Sequence, residues 1–542
     1  MADIEVSVLV VGGGLNGLAT ALFLSRQGVD VHLVERNSTT ARLLRAAGVS
    51  ARTMELFHSV GLEPEIRARG LRLVPGEHWT QPNSPADLLP RAILGAKRLS
   101  DIGDGRAFVM EEGTVEVADA SPMEPAWCGQ DRLEPLMVGE ATRRGARVEF
   151  GTELVSFEQD PDGVDAVIRD TATGERRSVR ARYLIAADGV SSPVRESLGI
   201  TRSGNGTIGH VLSILFEADL DAVVDGRRFL IAYLLNEAAG LLHRFDATRW
   251  VFGLFFDPER HAGAETSKDK ALELLRTALG EPDLSADIQL VNRWRLAHEV
   301  ADAYRSGRVF LVGDACHVHP PAGGYGANSG MQDAHNLAWK LAAVLRGWAG
   351  DGLLDTYEQE RHPVGRATAD QAWIRQTTRS EGDGGHPDLR NSTVISTGYR
   401  YPEGAFEGEK GGEPLEGELR IDGRPGMRVP HVWLERDGAK VSTVELATDT
   451  FVLLAAQDGG AWAEAARAAG AALGLPLTVH RVGGDLADAE GRFCELTGLT
   501  SQGALLVRPD GFVAWRSPGA GDRPEDLLRT VLGRITARDR EV

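Results

Sequence analysis

The sequence is poor in cysteine: among 542 residues only Cys128, Cys316 and Cys494 occur, and no two stand in a C-x-x-C or zinc-ligand spacing. That argues against a disulfide scaffold and a cysteine-rich metal centre. Long apolar runs are also missing. None approaches the roughly 20 residues that span a bilayer, so no membrane partner is expected. The opening MADIEVSVLVVGGG has neither a basic n-region nor a cleavage site, and the cytoplasm is the expected location. Basic residues are outnumbered, 59 Lys and Arg against 78 Asp and Glu, for a net charge of −19. A field of that sign repels phosphate backbones, so no nucleic acid is expected as a partner. Of the 14 histidines, His317 and His319 stand two apart with no third ligand implied nearby, so no metal is expected. A repeat of solenoid period is also missing.

What is present is ordinary globular composition, 42% hydrophobic and 25% charged, in a chain long enough for roughly three or four domain-sized units. VSVLVV at 6–11 is a continuous apolar run, as in a buried parallel strand. A glycine turn, a helical stretch and a second strand, VDVHLVE at 29–35, complete a βαβ opening. RYLIAA at 182–187 and RVFLVG at 308–313 read as further strands. From 211 to 256, FLIAYLL, GLLHRF and RWVFGLFF suggest an antiparallel sheet inserted in the nucleotide-binding fold. Met331, Ala334, Ala338, Leu341 and Leu345 step by three and four, predicting a helix over 329–346 with Asn328 or Ser329 as its cap. Residues 381–425, rich in Gly, Glu and Pro, read as a connecting segment, and 426–542 return to a βα texture.

Three motifs carry chemistry. Gly12, Gly14 and Gly17, with Leu15 and Asn16 between them, satisfy G-x-G-x-x-G. The glycines permit a tight turn, backbone approach to a pyrophosphate, and close helix packing. The helix N-terminus then offers free N–H groups to phosphates, and Glu35 stands where a carboxylate accepts ribose hydroxyls. This motif does not decide between FAD and NAD. Second, Ala187-Asp188-Gly189 ends a strand, with Ser191, Ser192 and Arg195 following; alone it is an ordinary Asp-Gly turn. Third, Gly313-Asp314-Ala315-Cys316-His317 leads into Pro320-Pro321-Ala322-Gly323-Gly324-Tyr325-Gly326-Ala327-Asn328. Asp314 could accept a ribityl hydroxyl, the glycines let backbone pass close to a flat ring, and the positive end of the helix that follows would favour negative charge on a reduced flavin.

In this order and spacing the motifs resemble the group A flavoprotein monooxygenases related to para-hydroxybenzoate hydroxylase. GDACHVHPPAGGYGANSGMQDAHNLAWKLA is the most specific part; RAAGVSARTMELF and GRPGMRVPHVWL are similar to the branch that hydroxylates aromatic polyketides and phenols. The resemblance implies an α/β fold: a Rossmann-like FAD-binding domain over 1–380 with an interleaved antiparallel substrate sheet (mainly 76–104 and 196–290), the linker 381–425, and a thioredoxin-like domain over 426–542 that lacks C-x-x-C. It implies Glu35 at the adenosine ribose with Arg36 beside it, and Arg45 at the pyrophosphate and the moving flavin. It further implies Gln130 and Asp314 at the ribityl chain, and Asp188 with Arg195 in a motif linked to both FAD and NAD(P)H. The loop from Pro321 through Gly324, Gly326, Ala327 and Asn328 would contact the isoalloxazine, with Arg45 and Pro321 as the catalytic candidates. Tyr325 stands where relatives commonly have Gln, and Cys316 where they commonly have Ala; Cys316 reads as a small buried residue, with a covalent flavin link the weaker reading.

The implied activity is hydroxylation of an aromatic, polycyclic polyketide-type or phenolic substrate through a C4a-hydroperoxyflavin, with NADPH or NADH docking briefly as reductant and O₂ as oxidant. Baeyer–Villiger or ring-opening oxidation, and a flavin dehydrogenase that avoids O₂, stay open because the motifs bind cofactor and not substrate. Tyr233, His243, Trp250 and Phe252 are substrate-wall candidates by chemistry, with sheet packing as the plainer reading of each. A homodimer is left open, and the tail is expected to pack or to mediate association.

Overall fold

The structure, a computed structural model, describes residues 2–41, 46–113, 117, 119–246, 248–257, 259, 261, 267–378, 386–447 and 449–538. Its first sheet is built on the strand Ile4–Val11, whose Val8, Leu9, Val10 and Val11 are buried. Val31–Glu35 and Arg176–Ala186 flank it in parallel, with Arg147–Phe150 outside the former and Val309–Leu311 beside the end of the latter. The hairpin Thr152–Gln159 and Val164–Asp170 adds antiparallel to the first half of Arg176–Ala186. Helix Leu15–Arg26 packs against helices Gln130–Arg143 and Tyr325–Leu345. Burial on both faces explains why these strands read as apolar runs and not as alternations.

The second sheet has eight strands in the order His317–Val318, Asp287–Ala301, Arg202–Glu217, Arg249–Phe255, Gly240–Arg244, Ile231–Leu234, Ala92–Ala96 and Phe108–Glu112. It reaches further than 76–104 and 196–290, because Asp287–Ala301 pairs along almost the whole of Arg202–Glu217. Helix Lys268–Leu279 covers one face, burying Ala271, Leu275, Ala278 and Leu279 among sheet side chains.

The tail holds a four-stranded sheet in the order Leu477–Arg481, Phe451–Ala455, Ala504–Val507, Val513–Ser517. The first pair is parallel and the other two pairings are antiparallel. The core around helices Gly460–Leu473 and Pro524–Ile535 is continuous with that of the first sheet, and Phe451 meets Trp339 edge-on at 5.8 Å. Arg428 pairs with Glu55 at 2.5 Å, and Arg508 pairs with Glu360 at 2.6 Å and Asp510 at 2.5 Å, all buried. The segment read as a connector is, over its described part 386–425, a packed strap. Val394, Ile395, Tyr399, Tyr401, Phe406 and Leu415 are buried in one cluster with Tyr325 and Phe512, because apolar anchors are spaced among its Gly, Glu and Pro.

Candidate cofactor and substrate site

Four parallel strands end side by side. Val11 pairs with Val34 on one side and Ala186 on the other, and Ala186 pairs with Leu311. Gly12, Glu35, Asp188 and Gly313-Asp314 all lie at these ends, so residues far apart in sequence converge at one sheet edge. In open α/β sheets the crevice beyond the carboxyl ends of the strands is where ligands bind.

The glycines show how tightly the motifs interlock. Gly12 has φ +107°, and a β-carbon there would stand 2.2 Å from the carbonyl oxygen of Ala187; one on Gly17 would stand 1.9 Å from that of Gly12. The amide of Asn16 sits between Gly313 and Gly330, where β-carbons would approach it to 2.0 and 2.5 Å, joining the first motif to the third. Its Oδ1 is buried with no hydrogen-bond partner among the described residues. A β-carbon on Gly14 or Gly324, by contrast, would meet no heavy atom within 4 Å among the described residues. Both of these glycines cap helices without a side-chain hydrogen bond, so first-turn N–H groups are left for a ligand. Open backbone at two helix N-termini, a ribose-type carboxylate and an orphaned amide oxygen are what a dinucleotide with a flat ring requires, and these residues fit FAD.

Glu35 accepts hydrogen bonds from the backbone N–H of Gly13 at 2.6 Å and of Asn37 at 2.8 Å, while Arg36 beside it is exposed. Leu15 is buried as the first residue of its helix. Asp188 accepts from the Ser192 hydroxyl at 2.6 Å and the Val194 N–H at 3.0 Å, so its carboxylate organises its own turn, and burial raises its pKa. Arg195 donates to the carbonyl of Ile200 and at 3.2 Å to Glu196. Gln130 opens its helix and donates to Glu134 at 2.6 Å. Glu134, whose pKa burial raises, also accepts from the Ala41 N–H at 2.7 Å. Arg45 lies outside the described residues. Asp314 is half-buried in the short 3₁₀ turn Gly313–Ala315, and Arg202 donates to its carbonyl at 3.2 Å.

The loop helix begins at Tyr325, not at 329, with Gly324 at φ +67° as its cap. Asn328 is therefore inside the first turn. It donates to the carbonyls of Gly48 and Gly324 at 3.0 Å and accepts from the Ser50 N–H at 2.9 Å. Pro321 is exposed, and Gly326 and Ala327 are half-buried. Behind the loop Asp333 is fully buried between His317 and Arg361, each at 2.7 Å. Burial opposes its charge, but Arg361 and then His317 outweigh burial and hold its pKa down at about 2. Cys316 is fully buried, and that burial pushes its thiol well above the usual range, as in an inert core residue.

The four substrate-wall candidates divide between two sheet faces. Cross-strand register pairs Tyr233 with Leu241 and Ile231 with His243 on one face, and Leu242 with Phe252 and Arg244 with Trp250 on the other. Trp250 and Phe252 are completely buried in the core that includes helix Lys268–Leu279, in keeping with the plainer reading of the two as sheet packing and not as wall residues. Tyr233 and His243 are half-buried on the opposite face. His243 meets Trp127 edge-on at 6.3 Å, and burial pushes its pKa down to about 4. Trp127 donates to the carbonyl of Phe245 at 3.2 Å and pairs with Gly48, whose carbonyl Asn328 holds. Trp127, Leu241 and Phe245, which the structure brings beside Tyr233 and His243, were not legible in the sequence; the one signal was an aromatic residue just before Cys128-Gly129-Gln130. Among the described residues no three His, Cys, Asp or Glu are grouped to hold a metal, and no helix is long and apolar enough to cross a membrane.

Comparison with known proteins follows the same division. Residues 5–372 match the FAD binding domain family, and residues 422–538 match the aromatic-ring hydroxylase C-terminal family. The tetracenomycin B2 monooxygenase-dioxygenase of Streptomyces olivaceus is 54% identical over 540 residues, 99% of this chain and 100% of that one. The tetracenomycin A2 monooxygenase-dioxygenase of Streptomyces glaucescens is 52% identical, over 99% of this chain and 98% of its own. The crystal structure of aklavinone-11 hydroxylase with FAD and aklavinone superposes with a TM-score of 0.88 at 36% identity, covering 99% of this chain and 100% of that one. With a fold, a convergence of motifs at the strand ends and a full-length likeness that agree, this chain belongs to the FAD-dependent aromatic-ring hydroxylases and is a flavoprotein monooxygenase.

Proposed function

We propose that this chain hydroxylates a polycyclic aromatic polyketide of the tetracenomycin type, consuming NAD(P)H and O₂. The observation that carries this reading is the half-buried sheet face bearing Tyr233, Leu241 and His243, which meets Trp127 and, through Gly48 and Asn328, the glycine loop. A wall of aromatic and aliphatic side chains beside the ring-facing loop suits a flat aromatic substrate, and the full-length tetracenomycin relatives support that class.

Bound FAD supplies the redox chemistry, passing electrons from the nicotinamide to dioxygen. The protein's part is placement. Gly14 and the N–H groups of helix Leu15–Arg26 would hold the pyrophosphate, with Glu35 and Arg36 at the adenosine ribose. Gln130 and Asp314 would hold the ribityl chain, and the loop Pro321–Asn328 the ring. Arg45 and the turn of Asp188 and Arg195 would serve cofactor movement and nicotinamide docking. His243, kept neutral by burial, gives a phenol a hydrogen-bond partner without placing charge on the wall. Packing of His243 against Trp127 and Phe245 would help keep water from the reacting ring carbon. The tail's strand order supports a thioredoxin-like reading of residues 426–542. Without C-x-x-C it has no dithiol chemistry, and we assign it a packing role.

Turnover of a tetracenomycin-type polyphenol under ¹⁸O₂, read by mass spectrometry and NMR, tests the proposal. One labelled ring hydroxyl per O₂ marks monooxygenation, and two labelled oxygens from one O₂ mark dioxygenation. A lactone or an opened ring points to oxygen insertion instead. NADPH-dependent turnover that leaves the product unlabelled overturns the proposal in favour of a dehydrogenase.

A further inference from the structure

We propose that Tyr325 is a positioning residue that clamps the glycine loop to the 386–425 strap and so sets where helix Tyr325–Leu345 presents its first N–H groups to the flavin. The inference rests on the loop's assignment as the ring-facing segment. Gly323, at φ +90°, is exposed but lies against the Tyr325 ring: a β-carbon there would stand 2.2 Å from Cε2. The aromatic ring thus braces one side of the turn that leads into the helix. Its hydroxyl reaches the strap, 3.1 Å from the Ser392 hydroxyl. Ser392 is the first residue of the short helix Ser392–Ser396, whose cap Asn391 accepts from the Thr393 N–H at 2.8 Å. The same strap grips the flavin helix again further along, where Gln332 donates to the Ser396 carbonyl at 3.3 Å.

The clamp is continuous with the tail. Tyr325 shares a buried cluster with Ile395, Tyr399, Tyr401 and Phe512, and Tyr401 stacks on Phe512 at 4.3 Å. The Ala405 N–H donates to Glu360 at 2.8 Å, and Glu360 is held by Arg508 from the tail. A mechanical path therefore runs from Arg508 and Phe512 through the strap to the glycine loop. A glutamine here would offer an end that can hydrogen-bond but no ring to lie against Gly323. The tyrosine thus makes the loop's placement depend on the strap.

Tyr325→Phe, Ser392→Ala, the double variant and Tyr325→Gln are compared with the parent for FAD dissociation constant, visible circular dichroism of bound FAD, and KM against kcat. Tyr325→Phe and Ser392→Ala each remove one hydrogen bond and are expected to weaken FAD by about two- to fivefold. Both should shift the flavin dichroism in the same direction, and kcat should fall with KM little changed. The double variant should match the singles, because one bond is lost in all three, and Tyr325→Gln should show the largest spectral change. Single variants with the parent's affinity and spectrum, or single effects that add in the double, overturn the clamp. A parent protein that takes up no FAD defeats the site assignment itself, whereas a yellow parent with indistinguishable variants defeats only this inference.

Discussion

The carboxylate of Glu35 accepts the backbone N–H of Gly13 at 2.6 Å, locking the end of the second strand onto the glycine turn. A β-carbon on Gly13 would stand 2.6 Å from that of Glu35, so the two residues are in direct contact as well. The acid therefore holds the turn in shape, in addition to the ribose contact proposed for it. Glu35→Ala removes a charge-assisted bond and is expected to cost FAD binding about 1.5–3 kcal/mol, while Glu35→Gln, which keeps an acceptor, should lose less. Flavin fluorescence titration of both variants checks this, and equal loss in the two would mean that the charge alone matters.

Gly17 and Gly330 make a sharper stability test. An added methyl at Gly17 meets the Gly12 carbonyl at 1.9 Å, and one at Gly330 meets the wedged Asn16 amide at 2.5 Å. Overpacking of this kind costs about 1–3 kcal/mol, and Gly17→Ala should be the worse because its obstacle is backbone. Gly139 is the control: it is exposed in helix Gln130–Arg143, with nothing within 4 Å of a β-carbon. Gly139→Ala should stabilise by about 0.5–1 kcal/mol. Urea denaturation with flavin content measured in parallel separates the three.

Much of this site was legible because a buried parallel strand is an apolar run that stops abruptly. VSVLVV, RYLIAA and RVFLVG each stop at a motif, and the register places those stops side by side. The start of the loop helix was not legible. Gly324 caps it without any of the side chains that ordinarily mark a helix N-terminus, so the apolar period alone suggested a later start. Nor could alternation along Arg249–Phe255 say which face is covered by core. That depends on helix Lys268–Leu279, which covers Trp250 and Phe252 from a separate stretch of chain. The strap escaped because its composition resembles a linker, while its anchors, Tyr399, Tyr401 and Phe406, matter only through Tyr325 and Phe512.

The tail's attachment is also testable. Arg428 and Glu55 are 1% and 3% exposed and pair at 2.5 Å, with Ser121 and Arg52 completing the carboxylate's partners. Arg428→Met leaves the buried acid with one cation fewer, at an expected cost of about 3–5 kcal/mol in global stability. Loss should register in a single cooperative transition, since the tail shares its core with the first sheet. A separate, earlier melting step of the tail would contradict that continuity.

His243 sets a pH dependence with a definite sign. Burial lowers its pKa from 6.5 to about 4, so the folded chain keeps the ring neutral where the unfolded chain protonates it. Stability from this residue is intact above the unfolded pKa and declines as pH falls from about 6.5 toward 4, by on the order of 3 kcal/mol in full. His431, lowered to about 4, and His335, lowered to about 3, add slopes of the same sign. His243→Phe should flatten only its own share, visible as a smaller loss of urea stability between neutral pH and about pH 4. An unchanged slope would place His243 in contact with water.

The two sheet faces should respond to mutation in opposite ways. Trp250 fills the core beneath Arg244, whose guanidinium lies 4.0 Å from the ring centroid, and donates to the carbonyl of Ala218 at 3.2 Å. Trp250→Leu and Phe252→Leu should therefore cost about 2–4 kcal/mol of stability and leave KM for the aromatic substrate near that of the parent. Tyr233→Leu and His243→Leu remove polar groups from the half-buried wall, where little packing is lost, so stability should move by less than about 1 kcal/mol while KM rises severalfold. Steady-state kinetics and urea unfolding on the same four proteins decide the matter. If the Trp250 and Phe252 variants change KM as much as the wall variants do, the substrate does not lie on the face that Trp127 shares with His243.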